Sequence, residues 1–199
     1  LALHPAAPLA YIGALLAGLS AWYIVGSLVE LVQQRVLPVP PEVARAFQEA
    51  ILDPERNLAV DLIALAISPA LCEELLFRGV ILQTTRRVMS PAGAVLLNGA
   101  LFGAFHLSVY RFFPTMLLGI LLAYLVLRSG SILPSMLFHV LNNSIAIIAG
   151  RLAGETVAAP ESPISYPLLA AAAALFIIGM AIFVRATSPP ATPPPSATP

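Results

Sequence analysis

The composition of this 199-residue chain excludes an ordinary water-soluble domain. Hydrophobic residues make up 59% of it and charged residues only 10%, whereas a soluble domain has roughly a quarter charged residues. The mean hydropathy of +0.90 indicates that lipid is its main solvent. Ten acidic residues balance ten basic ones, all arginine, so we expect no nucleic-acid partner. The single cysteine, Cys72, excludes an intramolecular disulfide.

Apolar stretches long enough to cross a bilayer recur along the chain. A hydrocarbon core of ~30 Å needs about 20 helical residues at about 1.5 Å each. The predicted spans are residues 9–31, 58–85, 91–107, 113–127, 131–150 and 166–184. Ser90 and Pro91 predict the start of the third span, as N-cap and first helical residue.

Two segments outside the spans have their own patterns. Val43, Phe47 and Ile51 recur every four residues and predict a short amphipathic helix in the membrane interface. The tail at 187–199 contains only Pro, Thr, Ser and Ala, and is predicted to be disordered. We therefore predict an all-α, polytopic transmembrane bundle, with about six spanning helices and one interfacial helix. It forms a single domain over residues 1–186.

Polar side chains inside predicted spans are costly and mark candidate functional positions. They are Glu73, Glu74 and Arg78 in the second span, His106 in the third, and His139, Asn142 and Asn143 in the fifth. Glu74 and Arg78 are four residues apart, so they can pair on one helical face. Glu73 points away from that face, and its carboxylate is therefore the candidate general base.

Depth in the membrane groups these residues. Counted at about 1.5 Å per residue from one membrane face, the depths are roughly 20, 22, 18 and 12 Å for Glu73, His106, Asn143 and His139. Three predicted helices can therefore bring polar groups to one intramembrane pocket. Small residues at Gly99 with Gly103, and at Gly13 with Ala17, predict close helix contacts.

A carboxylate, two imidazoles and an amide fit the hydrolysis of an amide by water. Glu73 with His106 can hold and deprotonate a water, directly or through a metal. His139 with Asn143 can donate hydrogen bonds to a developing oxyanion. Other hydrolase patterns, namely HExxH, the GxSxG elbow and paired intramembrane aspartates, are absent from the sequence. Asn98, Asn142 and Ser135 are interpreted as interhelical hydrogen-bonding residues.

Three motifs in this order resemble the CPBP family, also called the Abi or type II CAAX prenyl endopeptidase family. The motifs EExxxR, FxxxH and HxxxN occur on separate predicted helices, at residues 73–78, 102–106 and 139–143. The resemblance covers about residues 58–150. It implies an all-helical membrane protease that cleaves a peptide bond in a membrane-associated or prenylated substrate.

The resemblance also implies roles for individual residues. By position, Glu73 and His106 activate the water, and His139 with Asn143 forms the oxyanion site. The supporting residues are Glu74, Arg78 and Phe102. Zinc is left open, because Glu73, His106 and His139 are an adequate ligand set in principle, whereas divided roles leave fewer ligands. No organic cofactor is expected.

The expected partners are membrane lipid and a membrane-associated protein or peptide substrate, with the chain in the bacterial cytoplasmic membrane. A further membrane domain, fused or associated upstream, is left open. Two other functions stay open: an inactive scaffold or immunity-type relative, and part of a transporter or proton relay. The complete motif set favours the protease, and no internal repeat supports a transporter.

Overall fold

Helices dominate the described part of the chain. The computed structural model describes residues 2–43, 45, 56–153 and 164–187. Its long helices are α1 (Pro8–Arg35), α2 (residues 58–85), α3 (Pro91–Phe105), α4 (Val109–Ser129), α5 (Leu133–Ala153) and α6 (Tyr166–Ala186). These ranges contain no strand, which confirms the predicted all-α bundle. Most of the predicted interfacial helix at 43–51, and residues 188–199 of the predicted tail, lie outside the described residues.

Four of the described helices are long and apolar enough to cross a membrane, namely α1, α4, α5 and α6. At 15 residues, α3 is about 22 Å long and falls short of a ~30 Å hydrocarbon core. α2 is a continuous helical stretch, but it carries Asp61, Glu73, Glu74 and Arg78 and changes helix type along its length. The prediction of about six spans is therefore not confirmed.

α2 alternates between α-helical turns and wider π-helical turns. Its α segments are Leu58–Asp61, Ser68–Glu73 and Leu82–Thr85, and its π segments are Leu62–Ile67 and Glu74–Ile81. The helix starts at Asn57, whose side-chain oxygen accepts the N–H of Ala59 at 2.8 Å. Pro69 is the second residue after the first π segment, and a proline has no N–H for the regular α-helical ladder.

Two backbone carbonyls of the second π segment accept hydrogen bonds from side chains. The N–H of Leu82 donates to the carbonyl of Phe77, five residues back. The same carbonyl accepts Asn98 Nδ2 of α3 at 2.7 Å. Gln83 Nε2 donates to the carbonyl of Arg78 at 3.1 Å. The interhelical role predicted for Asn98 is confirmed, and these bonds fix the turn that carries Arg78.

α1 packs along both α6 and α5, and its contact with α6 is made through glycines. A Cβ on Gly13 would lie 2.6 Å from the backbone nitrogen of Phe183. A Cβ on Gly179 would lie 2.7 Å from the backbone nitrogen of Ala17. The two backbones therefore approach as closely as small residues allow between membrane helices, and the predicted close contact at Gly13 is confirmed.

α3 packs on α4 in the same manner. A Cβ on Gly99 would lie 2.9 Å from the carbonyl oxygen of Met116, and one on Gly103 would lie 2.7 Å from that of Phe112. The predicted close packing of these two glycines is confirmed. It brings the end of α3, which carries His106, against the start of α4.

Gly13→Ala should destabilise the fold, because the added methyl would meet backbone atoms of α6 at 2.6–2.8 Å. Overpacking of this kind costs about 1–3 kcal/mol, and we expect a correspondingly lower thermal unfolding temperature in detergent. Gly26→Ala is the matched control, because a Cβ there has nothing within 4 Å and lies in the same helix. Equal losses in both variants would contradict the proposed packing.

The first turn of α5 is tied to the N-terminal segment. Ser131 Oγ accepts the N–H of Leu133 at 3.2 Å and donates to the carbonyl of His4 at 2.6 Å. The N–H of Ile132 donates to the carbonyl of Ala2 at 2.8 Å. The chain ahead of α1 therefore sets where α5 begins, and α5 carries the predicted HxxxN residues.

The far end of α5 is tied to the start of α2 through a buried aspartate. Asp61 is fully buried and pairs with Arg56 at 3.0 Å. Its second oxygen pairs with Arg151 of α5, and the Arg151 guanidinium also donates to the carbonyl of Arg56 at 2.6 Å. The two helices that supply most of the predicted site are thus held together near one membrane face.

Candidate functional site

The predicted pair Glu74 and Arg78 lies at the centre of the helix bundle. Both side chains are fully buried, and Arg78 Nη1 lies 2.9 Å from Glu74 Oε1. Arg78 Nη2 donates to the carbonyl of Gly119 on α4 at 3.0 Å. The guanidinium carbon lies 4.4 Å from the centre of the Phe102 ring, within cation–π range. The ion pair therefore joins α2, α3 and α4.

Glu74 also contacts α5. His139 Nδ1 lies 3.1 Å from Glu74 Oε1, and Ser135 Oγ donates to Glu74 Oε2. His139 is almost fully buried, at 2% exposure. An ionised carboxylate can only accept, so we assign the Nδ1 proton to His139. Glu74 thereby fixes the orientation of the imidazole, and Nε2 is the nitrogen that faces the rest of the site.

Glu73 lies on the other side of the same imidazole. Its Oε2 is 3.8 Å from His139 Nε2, which is too long for a direct hydrogen bond. The Glu73 side chain is 21% exposed, whereas that of Glu74 is fully buried. Neighbouring carboxylates therefore differ in environment: one is enclosed by partners, and the other is open to a reacting molecule.

His106 is the residue at which α3 ends, and it is half-buried. Its Nδ1 lies 2.8 Å from the carbonyl of Phe102, so this nitrogen carries the proton and Nε2 is the acceptor of the neutral ring. The Phe102 ring is fully buried and packs edge-on against both imidazoles, at 5.0 Å from His106 and 5.7 Å from His139. Phe102 thus contacts both histidines.

Asn143 lies one helical turn beyond His139 and is partly buried. None of the hydrogen bonds of the described residues joins it to another predicted site residue. Its neighbour Asn142 is 8% exposed, and its Oδ1 has no hydrogen-bond partner in the described part of the chain. The interhelical bond predicted for Asn142 is not seen there.

Sequence reasoning missed two neighbours of the site. Ser135 was expected to bond between helices, and it does, but its partner Glu74 was not predicted. Arg111, in the first turn of α4, interacts electrostatically with Glu73 and with His106. An arginine five residues after the FxxxH histidine, at the start of an apolar helix, was the available signal.

A catalytic zinc ion needs three protein side chains that converge on one point. Residues 2–43, 45, 56–153 and 164–187 contain no group of three or more His, Cys, Asp or Glu side chains that could hold a metal ion. Glu73 Oε2 lies 3.8 Å from His139 Nε2, but these two side chains and His106 do not meet as a set of three. The side chains as placed do not form a zinc site, and we route no reaction step through a metal.

The part of the chain that holds these residues is described by a known family. A family model, type II CAAX prenyl endopeptidase Rce1-like, matches residues 55–145. Residues 55–145 are thus similar to a domain of this family. No curated protein and no solved structure gives a significant match to the chain.

The matched region runs from just before α2 into α5 and includes each predicted site residue, whereas α1 and α6 lie outside it. The resemblance inferred from the three motifs is therefore confirmed. Members of this family are proteases, so the match supports a protease-type, hydrolytic function. Together with four apolar helices of membrane-spanning length, it identifies an integral membrane protein, as predicted.

Proposed function

We propose that this protein is an intramembrane endopeptidase, which hydrolyses a peptide bond of a membrane-associated or prenylated substrate. One observation carries the proposal. His139 is held by the buried Glu74 through Nδ1 and faces the accessible Glu73 through Nε2. An oriented imidazole beside a carboxylate that solvent can reach is the arrangement that acyl transfer to water requires.

Glu73 and His106 activate the attacking water in this proposal. The Glu73 side chain is 21% exposed and His106 is half-buried, so in this proposal a water reaches both and loses a proton to the carboxylate or to Nε2 of His106. Its oxygen then attacks the carbonyl carbon of the substrate. When the C–N bond breaks, the same proton passes to the leaving nitrogen, and the acid–base groups return to their starting state.

His139 and Asn143 stabilise the oxyanion in this proposal. In the resting protein the neutral His139 ring carries its one proton on Nδ1, which donates to Glu74, so it must take up a second proton from solvent before Nε2 can also donate. A cationic donor aimed at the developing charge is stronger than a neutral one. Asn143 would add its amide N–H groups from the next turn of α5. The enclosed ion pair of Glu74 and Arg78 holds this arrangement rigid.

The proposal is tested with purified protein in lipid vesicles. The substrates are a panel of fluorogenic peptides, prenylated and unprenylated, together with membrane-anchored polypeptides. Cleavage by the parent, identified by mass spectrometry of both products, would support an endopeptidase. Absence of cleavage across the panel by a folded parent counts against it and favours the inactive-scaffold function.

Treatment with a metal chelator should leave the activity unchanged, because the water is activated here by protein groups alone. The measurement is the initial cleavage rate after incubation with 1,10-phenanthroline, beside a sample treated with its non-chelating isomer. A loss of activity that added zinc restores would contradict this mechanism and would assign Glu73, His106 and His139 to a metal.

A further inference from the structure

Ser135 has no place in the three sequence motifs, yet its hydroxyl reaches the centre of the site. It lies four residues before His139, on the same face of α5, and is fully buried. Its Oγ donates to Glu74 Oε2 and also lies 3.2 Å from the carbonyl of Ile132 in its own helix. The single hydroxyl proton goes to the charged acceptor, since bonds to ionised groups are the stronger ones.

The two oxygens of Glu74 have different partners. Oε1 faces Arg78 and His139, at 2.9 and 3.1 Å, and Oε2 faces Ser135. The last torsion of a glutamate side chain has a broad, roughly two-fold energy profile, so contacts at one oxygen do not fix the plane of the carboxylate. A second contact, made from a different helix to the other oxygen, does fix it.

We propose that Ser135 is a positioning residue for His139. Its hydroxyl holds the Glu74 carboxylate in the rotation at which Oε1 receives the Nδ1 proton of His139. It thereby fixes which ring nitrogen faces Glu73 and the substrate. The inference rests on the proposed function for its effect on catalysis, but the positioning itself is a property of the resting protein.

Removal of the Ser135 hydroxyl should loosen the orientation of the Glu74 carboxylate and, through it, that of the His139 imidazole. In Ser135→Ala, Oε2 loses the hydroxyl that holds it, and a buried carboxylate oxygen without a partner is costly. The carboxylate can then rotate, and the bond to His139 Nδ1 is no longer imposed. The imidazole becomes free to exchange tautomers or to turn over, and its Nε2 no longer has a fixed direction.

The direct test is nitrogen NMR of protein labelled with ¹⁵N-histidine. The chain has three histidines, and the His139 signals are those lost in His139→Gln. The parent should show a protonated Nδ1 in a single environment at His139, and Ser135→Ala should show mixed or exchanging Nδ1 and Nε2 signals. Ser20→Ala is the matched control, because its buried hydroxyl bonds only to the carbonyls of Leu16 and Ala17.

Activity gives the second readout. Loss of a group that orients a catalytic residue typically lowers activity 10–100-fold, so kcat of Ser135→Ala should fall by about that factor with KM nearly unchanged. Ser135→Thr, which keeps the hydroxyl, should restore most of it. Ser135→Cys, a weaker donor of similar shape, replaces the alanine variant if that variant does not fold.

The positioning role of Ser135 and the endopeptidase function can be disproved independently of each other. His139 signals that match the parent in Ser135→Ala or Ser135→Cys would overturn the positioning role, whatever the activity shows. Altered His139 signals in a protein whose parent cleaves no substrate would support the positioning role and count against the endopeptidase. A spectral change of equal size in Ser20→Ala would also overturn it, because the effect would then be general loosening of the bundle.

Discussion

Glu73→Gln should abolish most of the peptide hydrolysis while leaving the fold intact. The glutamine keeps the size of the side chain but cannot take a proton from water, and general-base catalysis contributes about 10²–10⁴-fold to rate. We expect kcat/KM to fall by a factor in this range. The Glu73 side chain is 21% exposed and has no hydrogen bond within 3.5 Å among the described residues. The unfolding temperature of the Glu73→Gln variant should therefore change little from that of the parent.

The controls separate catalysis from packing. Glu30→Gln makes the same chemical change at a partly buried glutamate of α1, away from the site, and should keep full activity. His106→Gln should lose activity to a similar extent. The double variant at Glu73 and His106 should lose little more than either single variant, because groups that act on one water form a unit. Full activity of the Glu73→Gln variant would show that Glu73 is not the general base.

The ion pair between Glu74 and Arg78 can be predicted from the sequence by helix geometry. Four-residue spacing predicts that Glu74 and Arg78 share a face, and the guanidinium lies 2.9 Å from the carboxylate. Counting depth from the ends of the apolar stretches predicts that α2, α3 and α5 bring Glu73, His106 and His139 together. Glu73 Oε2 lies 3.8 Å from His139 Nε2, which agrees with this expectation for α2 and α5. The same count groups Asn143 with these residues, and no hydrogen bond of the described residues joins Asn143 to them.

Other features depend on contacts that periodicity does not encode. The π-helical turn at Glu74–Ile81 is stabilised partly by Asn98 of α3 and by Gln83, whose directions are set by tertiary packing. The contact between Ser135 and Glu74 joins positions 61 residues apart, and Glu74 had a local partner that already explained it. A motif identifies which residues matter, but not which of two carboxylate oxygens each neighbour holds.

Asn143 and the number of spans show two further limits. Four-residue spacing places Asn143 on the same face as His139, yet it cannot say whether a side chain one turn away reaches the same point. Similarly, hydropathy counts α3 as a span because it includes the polar turn after Phe105, whereas the helix itself has 15 residues. The residue at which a helix ends depends on its capping interactions and on its contacts with the next helix. An average of hydropathy over a window of residues detects neither.

Arg78→Met should be the most destabilising single change in the site. It leaves Glu74 charged and fully buried without its cation, and breaking a buried pair in this way costs about 3–5 kcal/mol. The variant also loses the hydrogen bond to the carbonyl of Gly119 and the contact with the Phe102 ring. We expect a correspondingly lower free energy of unfolding in detergent, and a loss of activity that follows from the altered carboxylate.

The double variant Glu74→Gln/Arg78→Met separates the lost pair from the stranded charge. With glutamine at position 74 no buried charge is left without a partner, so the double variant should regain a large part of the stability that Arg78→Met loses. It should not regain activity, since an amide oxygen accepts the Nδ1 proton of His139 more weakly than a carboxylate does, and the amide can also turn its NH2 group toward the ring. Recovery of activity together with stability would mean that the pair serves the fold alone. A double variant no more stable than Arg78→Met would instead show that the arginine acts through Gly119 and Phe102, and that its charge is secondary.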